Sequence, residues 1–449
     1  MRHRSRHALV VCSLVLLTAL VPVRVPTADV VATDPGPRGG PPGAGGPLPG
    51  LSGAALQLFL AGQEAIQEID SVQGTIPETG LGLGPRFNMD SCGGCHVQPA
   101  PGGSSPPVNP QVAVATKEGA TNTVPFFITS DGPIRHAHVK RHPDGTPDGS
   151  VALLYTIMGR VDAPGCMLQQ PDFEALAAED NLGSHIPLQL FGVGLIEAID
   201  DATILANLAR HQAQKQSLGI RGHPGGPFGR GRFGWKAQDA HLPLDVAGAY
   251  QTEVGVTNPL VRKETDETPG CQFNPTPEDT FKSEAPTVID SLPDVTKFTA
   301  FVRFLAPPTP IPDTPSIATG RTLFAQIGCA LCHTPSLQTG ASAIPALSGK
   351  TANLYSDITL HQMGPGLADG VVEGNAGPDE FRTAPLWGLG QRLFLLHDGR
   401  TTDVREAITA HASQGDMTYP PSEANAVIGV FNGLSEEEKQ TLLDFLRAL

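Results

Sequence analysis

Two short segments carry residues whose types and spacing could do redox chemistry: Cys92-Gly93-Gly94-Cys95-His96 and Cys329-Ala330-Leu331-Cys332-His333. Both read C-x-x-C-H. Two thiols so placed can add to the two vinyl groups of a haem, and the adjacent histidine can turn its imidazole onto the iron. A single zinc site shared by the four cysteines would leave both histidines without a role. Thioredoxin-like chemistry would come with an adjoining βαβ pattern, which the chain lacks. The expectation is therefore two covalently bound haem c groups, attached through Cys92, Cys95, Cys329 and Cys332, with His96 and His333 as proximal iron ligands. The motifs are 237 residues apart, too far for a compact multihaem repeat, so each is assigned its own haem domain.

Three cysteines remain. Cys12 lies inside an apolar amino-terminal run, whereas Cys166 and Cys271 each follow a Pro-Gly pair in loop sequence. A mutual disulfide is the economical reading of these two in an oxidising compartment, with free or redox-active thiols as the alternative.

The elements that must position these groups are punctuated clearly. Residues 1–28 read as a secretory signal, with Arg2, Arg4 and Arg6 ahead of the apolar stretch Ala8 to Val21. That stretch is short of the ~20 residues that cross a bilayer, and no later stretch approaches that length. A periplasmic or otherwise exported protein without stable membrane insertion after cleavage is expected. Residues 29–50 are Pro/Gly-rich and read as a flexible linker. Helical patterns follow at 54–69, 192–209, 244–254 and 294–305, and short β-prone pieces at 123–128 and 151–157. The proline cluster Ala306 to Pro312 sets a domain boundary, giving an N-terminal haem domain at 51–311 with large loop insertions and a C-terminal cytochrome c domain at 312–449. In the latter, helices are expected at 317–327, at 403–411 behind the Asp403-to-Glu406 spacing, and from Ser435, where Glu438 completes a capping box.

Composition bounds the rest. Gly and Pro contribute 51 and 43 of 449 residues, well above the usual roughly 12% combined. This excludes a compact bundle or a coiled coil. The fold class expected is mainly α, two cytochrome c-like haem domains with long Gly/Pro-rich loops. Loss of residues 1–28 removes four arginines and no acid, taking the net charge from −15 to −19. Such a chain does not suit a nucleic-acid partner.

The sequence resembles the dihaem cytochrome c peroxidase superfamily, in its branch of dihaem oxidoreductases also labelled thiol oxidoreductases. The resemblance spans about residues 51–449. Its carriers are Gly84-Pro85-Arg86-Phe87-Asn88, Phe191-Gly192-Val193-Gly194-Leu195-Ile196-Glu197, Arg232-Phe233-Gly234-Trp235-Lys236-Ala237, Leu360-His361-Gln362-Met363-Gly364, Phe381-Arg382-Thr383-Ala384-Pro385-Leu386-Trp387 and Leu396-His397-Asp398-Gly399-Arg400. His397 matches the histidine of the family's Phe-His-Asp/Ser-Gly motif, and His411 stands where the peroxidases carry a methionine ligand. Val404, Ile408 and His411 also share one helix face. The resemblance thus implies His333 plus His411 ligation, with Met363 as the main competitor; a second imidazole lowers the reduction potential relative to a thioether.

The resemblance further implies Glu197 as the catalytic acid/base beside the N-terminal haem. His136, His138, His142 and His185 are alternatives for that haem's sixth ligand. Trp235 and Trp387 are candidates for an electron relay, and Arg232, Arg382 and Arg400 for pairing haem propionates. Relatives bind calcium between domains, and Asp357, Asp369 and Asp398 offer oxygen ligands for it here. The expected activity is reduction of hydrogen peroxide with electrons from a small electron-transfer protein such as a cytochrome c or cupredoxin. A purely electron-transferring cytochrome, and haem-dependent oxidation of a thiol, protein side chain or organic substrate, are the competing readings.

Overall fold

The computed structural model describes residues 31–449, so the expected signal segment at 1–28 lies outside the described residues. Residues 32–449 form one compact unit. It is mainly helical; its strands are short and pair in two- or three-stranded sheets.

The long elements arise where apolar periodicity meets a good cap. Thr314 accepts a hydrogen bond from the Ile317 amide and Pro315 opens the helix Pro315–Gln326. Ser435 and Glu438 form the expected capping box at Glu436–Ala448. Asp403 caps Val404–Ala410 through the Glu406 amide. The patterns at 54–69 and 294–305 appear as Gly53–Ala65 and Asp294–Phe304. Two expectations were too long. The 192–209 pattern is broken into Val193–Glu197 and Asp201–Ala209, with Asp200 extended between them. The 244–254 pattern is Leu242–Ala249 continued by a π-turn, Tyr250–Val254. The 151–157 piece supplies two short strands, but 123–128 forms none, because its Pro125 starts a turn.

The same helix crossing occurs twice. A Cβ on Gly62 would overlap the Lys297 carbonyl, and one on Gly320 would overlap the Thr441 carbonyl. Only a bare backbone lets each pair of helices approach so closely. Phe59 stacks on Phe301 at 5.4 Å beside the first crossing, and Phe324 meets Phe445 at 5.4 Å beside the second. Each crossing anchors its own apolar core. The cores do not divide at residue 312, however: Leu337, Leu347, Leu354, Ile358 and Trp387 pack into the N-terminal one.

The linker expected at 29–50 is corrected over its described part. Asp34 forms a buried ion pair with Arg447, 2.6 Å from oxygen to nitrogen. Leu48 is buried, its amide donating to the Phe304 carbonyl, and the Arg38 amide donates to the Gly390 carbonyl. The composition is that of a tether, but extended Pro/Gly chain also suits a strap laid along a surface, provided its polar groups find partners. Cys166 and Cys271, 105 residues apart, are joined as a disulfide.

Candidate functional site: two cavities built on the C-x-x-C-H motifs

Each motif is held by a turn that starts just before it. Ser91 caps Cys92–Cys95 by accepting from the Gly94 amide, and the Gly93 amide donates to the Ile66 carbonyl at the end of the first helix. Gly328, at φ 103°, turns the chain from Pro315–Gln326 into Cys329–Leu331. The two motif histidines are then fixed alike. His96 Nδ1 donates to the Gly103 carbonyl at 3.1 Å and His333 Nδ1 to the Tyr355 carbonyl at 3.0 Å. Nε2 of each is the lone pair left over, the arrangement that second-partner hydrogen bonds impose on metal-bound histidines. Desolvation raises the Cys92 and Cys329 thiols to about 12, whereas a redox-active thiol is held low.

The C-terminal cavity, about 230 Å³, is lined by Cys329, Cys332, His333, Met363 and His411 among apolar side chains. His411 Nδ1 donates to the Ala407 carbonyl at 2.7 Å, and its ring lies 6.5 Å from that of His333, centroid to centroid. Burial, then the neighbouring His411, holds His333 down at about 4, so it is a neutral base. Met363 lines the same cavity, packed with Leu367 and Phe381. His361 is occupied elsewhere: Asp357 and Glu423 hold its two nitrogens at 3.0 and 2.8 Å.

The N-terminal cavity is larger, about 460 Å³, and more polar; Cys92, Cys95, His96, Asn88, His136, His138, His185 and Glu253 line it. Glu253 comes from the π-turn, a local distortion often found at functional sites. Its Oε2 accepts from Asn88 Nδ2 at 2.7 Å and its Oε1 from His136 at 3.0 Å. Burial alone would raise this carboxyl, but His136 and Asn88 outweigh it and hold it below its ordinary value. Burial likewise opposes the charge on His136, and Glu253 overrides it, raising that imidazole. Burial, then neighbouring histidines, pushes His138 and His185 well down.

Glu197 does not line this cavity. Arg303 grips both its oxygens, at 2.6 and 2.8 Å. Gly194 sits so close to the Arg303 carbonyl that a Cβ would overlap it, and this contact directs the short helix toward Asp294–Phe304. The expectation for Glu197 is corrected, and Glu253 stands in the cavity instead. Sequence reasoning missed it because no motif marks it.

The arginines also separate. Arg382 lines both cavities and keeps one buried guanidinium nitrogen unpaired; so does Arg392, which was not singled out from sequence. Burial drops both to about 10. Buried unpaired guanidinium groups need anions, and a pair of haem propionates is such an anion set. Arg232 lines the N-terminal cavity but is engaged by Asp201 and the Ile199 carbonyl, with only its Nε unpaired. Arg400 lines neither cavity: it is partly exposed and paired with Asp398. The thiols, the free Nε2 positions and the orphaned guanidinium nitrogens fit haem in both cavities. Trp235 lines both, and Trp387 only the N-terminal one.

No calcium cradle forms from the three expected carboxylates. Asp357 is spent on His361, Asp369 on Lys236 and His185, and Asp398 on Arg400. His142 is exposed and stands with Asp148, away from the other histidines.

Comparison with known proteins agrees at the level of family. Residues 154–449 match the family described as "Di-haem oxidoreductase, putative peroxidase". The chain belongs to this family of haem-dependent oxidoreductases. The matched span takes in Cys329–His333 and leaves Cys92–His96 outside it, so it is shorter than the resemblance over 51–449. No curated protein matches. Among solved structures, hydrazine synthase of Kuenenia stuttgartiensis, pressurised with xenon, is 19% identical, with a TM-score of 0.22, over 36% of this chain and 58% of that one. A MauG-like protein associated with microbial copper homeostasis is 18% identical, with a TM-score of 0.24, over 35% of this chain and 52% of that one. The matches thus span little more than half of either relative. Among the described residues, no helix is long and apolar enough to cross a membrane.

Proposed function

We propose that this chain is an exported dihaem c-type oxidoreductase that reduces hydrogen peroxide in the N-terminal cavity, with electrons from a small carrier protein entering at the C-terminal centre. The observation that carries this reading is the asymmetry of the two cavities. The smaller is apolar and sets His411 against His333; the larger has room beside His96 and a carboxylate in its wall. Haem, held by Cys92, Cys95 and His96 and by Cys329, Cys332 and His333, supplies the electron-transfer and peroxide chemistry.

The chain's own residues then have separable roles. Glu253 would take a proton from hydrogen peroxide at a carboxylate oxygen and return it to the departing oxygen, which already carries the second proton and so leaves as water. Asn88 and His136 fix its two oxygens, so the carboxylate needs no reorganisation to act. Arg382 and Arg392 would pair with propionates, His411 together with His333 would hold the second haem, and Trp235, which lines both cavities, would relay electrons between them.

Electron paramagnetic resonance of the oxidised and half-reduced protein, followed by peroxide addition, tests the reading. A high-spin N-terminal signal with rapid peroxide-dependent oxidation is expected. Two low-spin haems that ignore peroxide would make this a pure electron-transfer cytochrome.

A further inference from the structure

Three imidazoles meet in the wall of the N-terminal cavity, and the peroxide chemistry uses only one of them. They stand on the strands His136–Val139 and Leu182–His185, whose antiparallel register sets His136 opposite His185. The period of two puts His138 on the same face as His136. Ring centroids are 4.8 Å apart for His136 and His138, 4.4 Å for His138 and His185, and 5.8 Å for His136 and His185. One ring nitrogen from each lies within 4.8 Å of the other two.

The outer nitrogens are all committed. His136 Nδ1 is held by Glu253 at 3.0 Å, His138 Nδ1 by the Gly149 carbonyl at 3.0 Å, and His185 Nε2 by Asp369 at 2.7 Å. The inner Nε2 atoms of His136 and His138 are buried without any partner, and on His185 the nitrogen not engaged by Asp369 is Nδ1. Orphaned ring nitrogens with carboxylate or carbonyl partners behind them are the pattern by which proteins orient metal-bound histidines. Carboxylates also outnumber cations around the trio: Glu253, Glu373 and Asp369 stand against it, with Lys236 as the facing cation.

We propose that His136, His138 and His185 bind one divalent transition-metal ion of the zinc or copper class, its fourth position open to the cavity that contains His96. Imidazole is a ligand suited to both metals. Nitrogens tetrahedral about zinc stand about 3.3 Å apart, so modest ring rotations close the site. The site is independent of the peroxide reading, since metal uptake is read without turnover.

Protein carrying both haems is stripped with chelator, incubated with zinc chloride, desalted and assayed for zinc against haem iron. One zinc per chain is expected, lost in the double variant His138→Ala/His185→Ala and retained in His142→Ala. Loading with Cu²⁺ instead gives a paramagnetic signal split by imidazole nitrogens. Asp369→Asn weakens zinc binding roughly 10- to 100-fold while haem content stays constant, which separates a site defect from misfolding. The proposal is overturned if the wild-type chain takes up no zinc or copper, or if uptake is undiminished in the double variant. It is equally overturned if the N-terminal haem is low-spin and becomes high-spin only in His136→Ala, because His136 Nε2 is then on iron.

Discussion

His333 and His411 face one another across the C-terminal cavity, their ring centroids 6.5 Å apart, each with its Nδ1–H spent on a backbone carbonyl. Two imidazoles bonded from opposite sides to one metal, at about 2 Å per bond, have centroids separated by nearly this distance. The backbone thus holds the two imidazoles at the spacing that a pair of ligands to one metal would need.

Replacing one of them tests that pairing. His411→Met should raise the reduction potential of the C-terminal haem by on the order of 0.1 V or more, within the ~0.8 V that axial ligands span. Spectroelectrochemistry reads the shift. Met363→Leu should leave both potential and spectrum unchanged; a thioether band in the wild type that vanished in Met363→Leu would move the ligand assignment to Met363.

Two glutamates should part company. Glu253→Gln should lower peroxide turnover by roughly 10²- to 10⁴-fold, whereas Glu197→Gln should leave turnover intact and cost about 0–1 kcal/mol, since its pair with Arg303 is partly exposed. Steady-state peroxide kinetics and thermal melts distinguish them. The wild-type base is held below the ordinary 4.5, so the acid limb of the pH–rate profile should fall below pH 4.5.

The amino-terminal strap should contribute stability rather than slack. Asp34→Asn strands Arg447 in a buried site and should cost about 3–5 kcal/mol. Burial opposes the charge on Asp34, but Arg447 and the amides of Val404 and Gly36 hold its carboxyl below the ordinary 3.8. A depressed carboxyl stabilises above its unfolded value and loses that contribution as pH falls through the folded one. Acid unfolding of the wild type should therefore steepen below pH 3.8, and the variant should lack this component in urea titrations run at stepped pH.

Opening the Cys166–Cys271 bridge should cost about 2–5 kcal/mol, since it closes a long loop. The double variant Cys166→Ala/Cys271→Ala is expected to melt lower while keeping its haem absorbance. An unchanged melting temperature would show the loop to be held by its packing alone.

The capped helices and the C-x-x-C-H motifs were legible because their signals are local. Ser435 and Glu438, or Cys329, Cys332 and His333, interact over a few residues of chain. Glu197 misled for the complementary reason. Its motif marks a helix turn correctly, but which way the carboxylate points depends on Arg303, more than a hundred residues later.

By itself, the sequence pointed to the chemistry proposed for this chain: two C-x-x-C-H motifs suited to haem attachment, a net negative charge, capped helices, and membership in a di-haem oxidoreductase family. Only the tertiary structure decided which groups share a cavity. Glu253 with Asn88 and His136, Arg382 with Arg392, Asp34 with Arg447, and three histidines from two strands meet through packing and register. Local spacing cannot encode such meetings, because their partners lie far apart along the chain and are selected by the burial of everything between them.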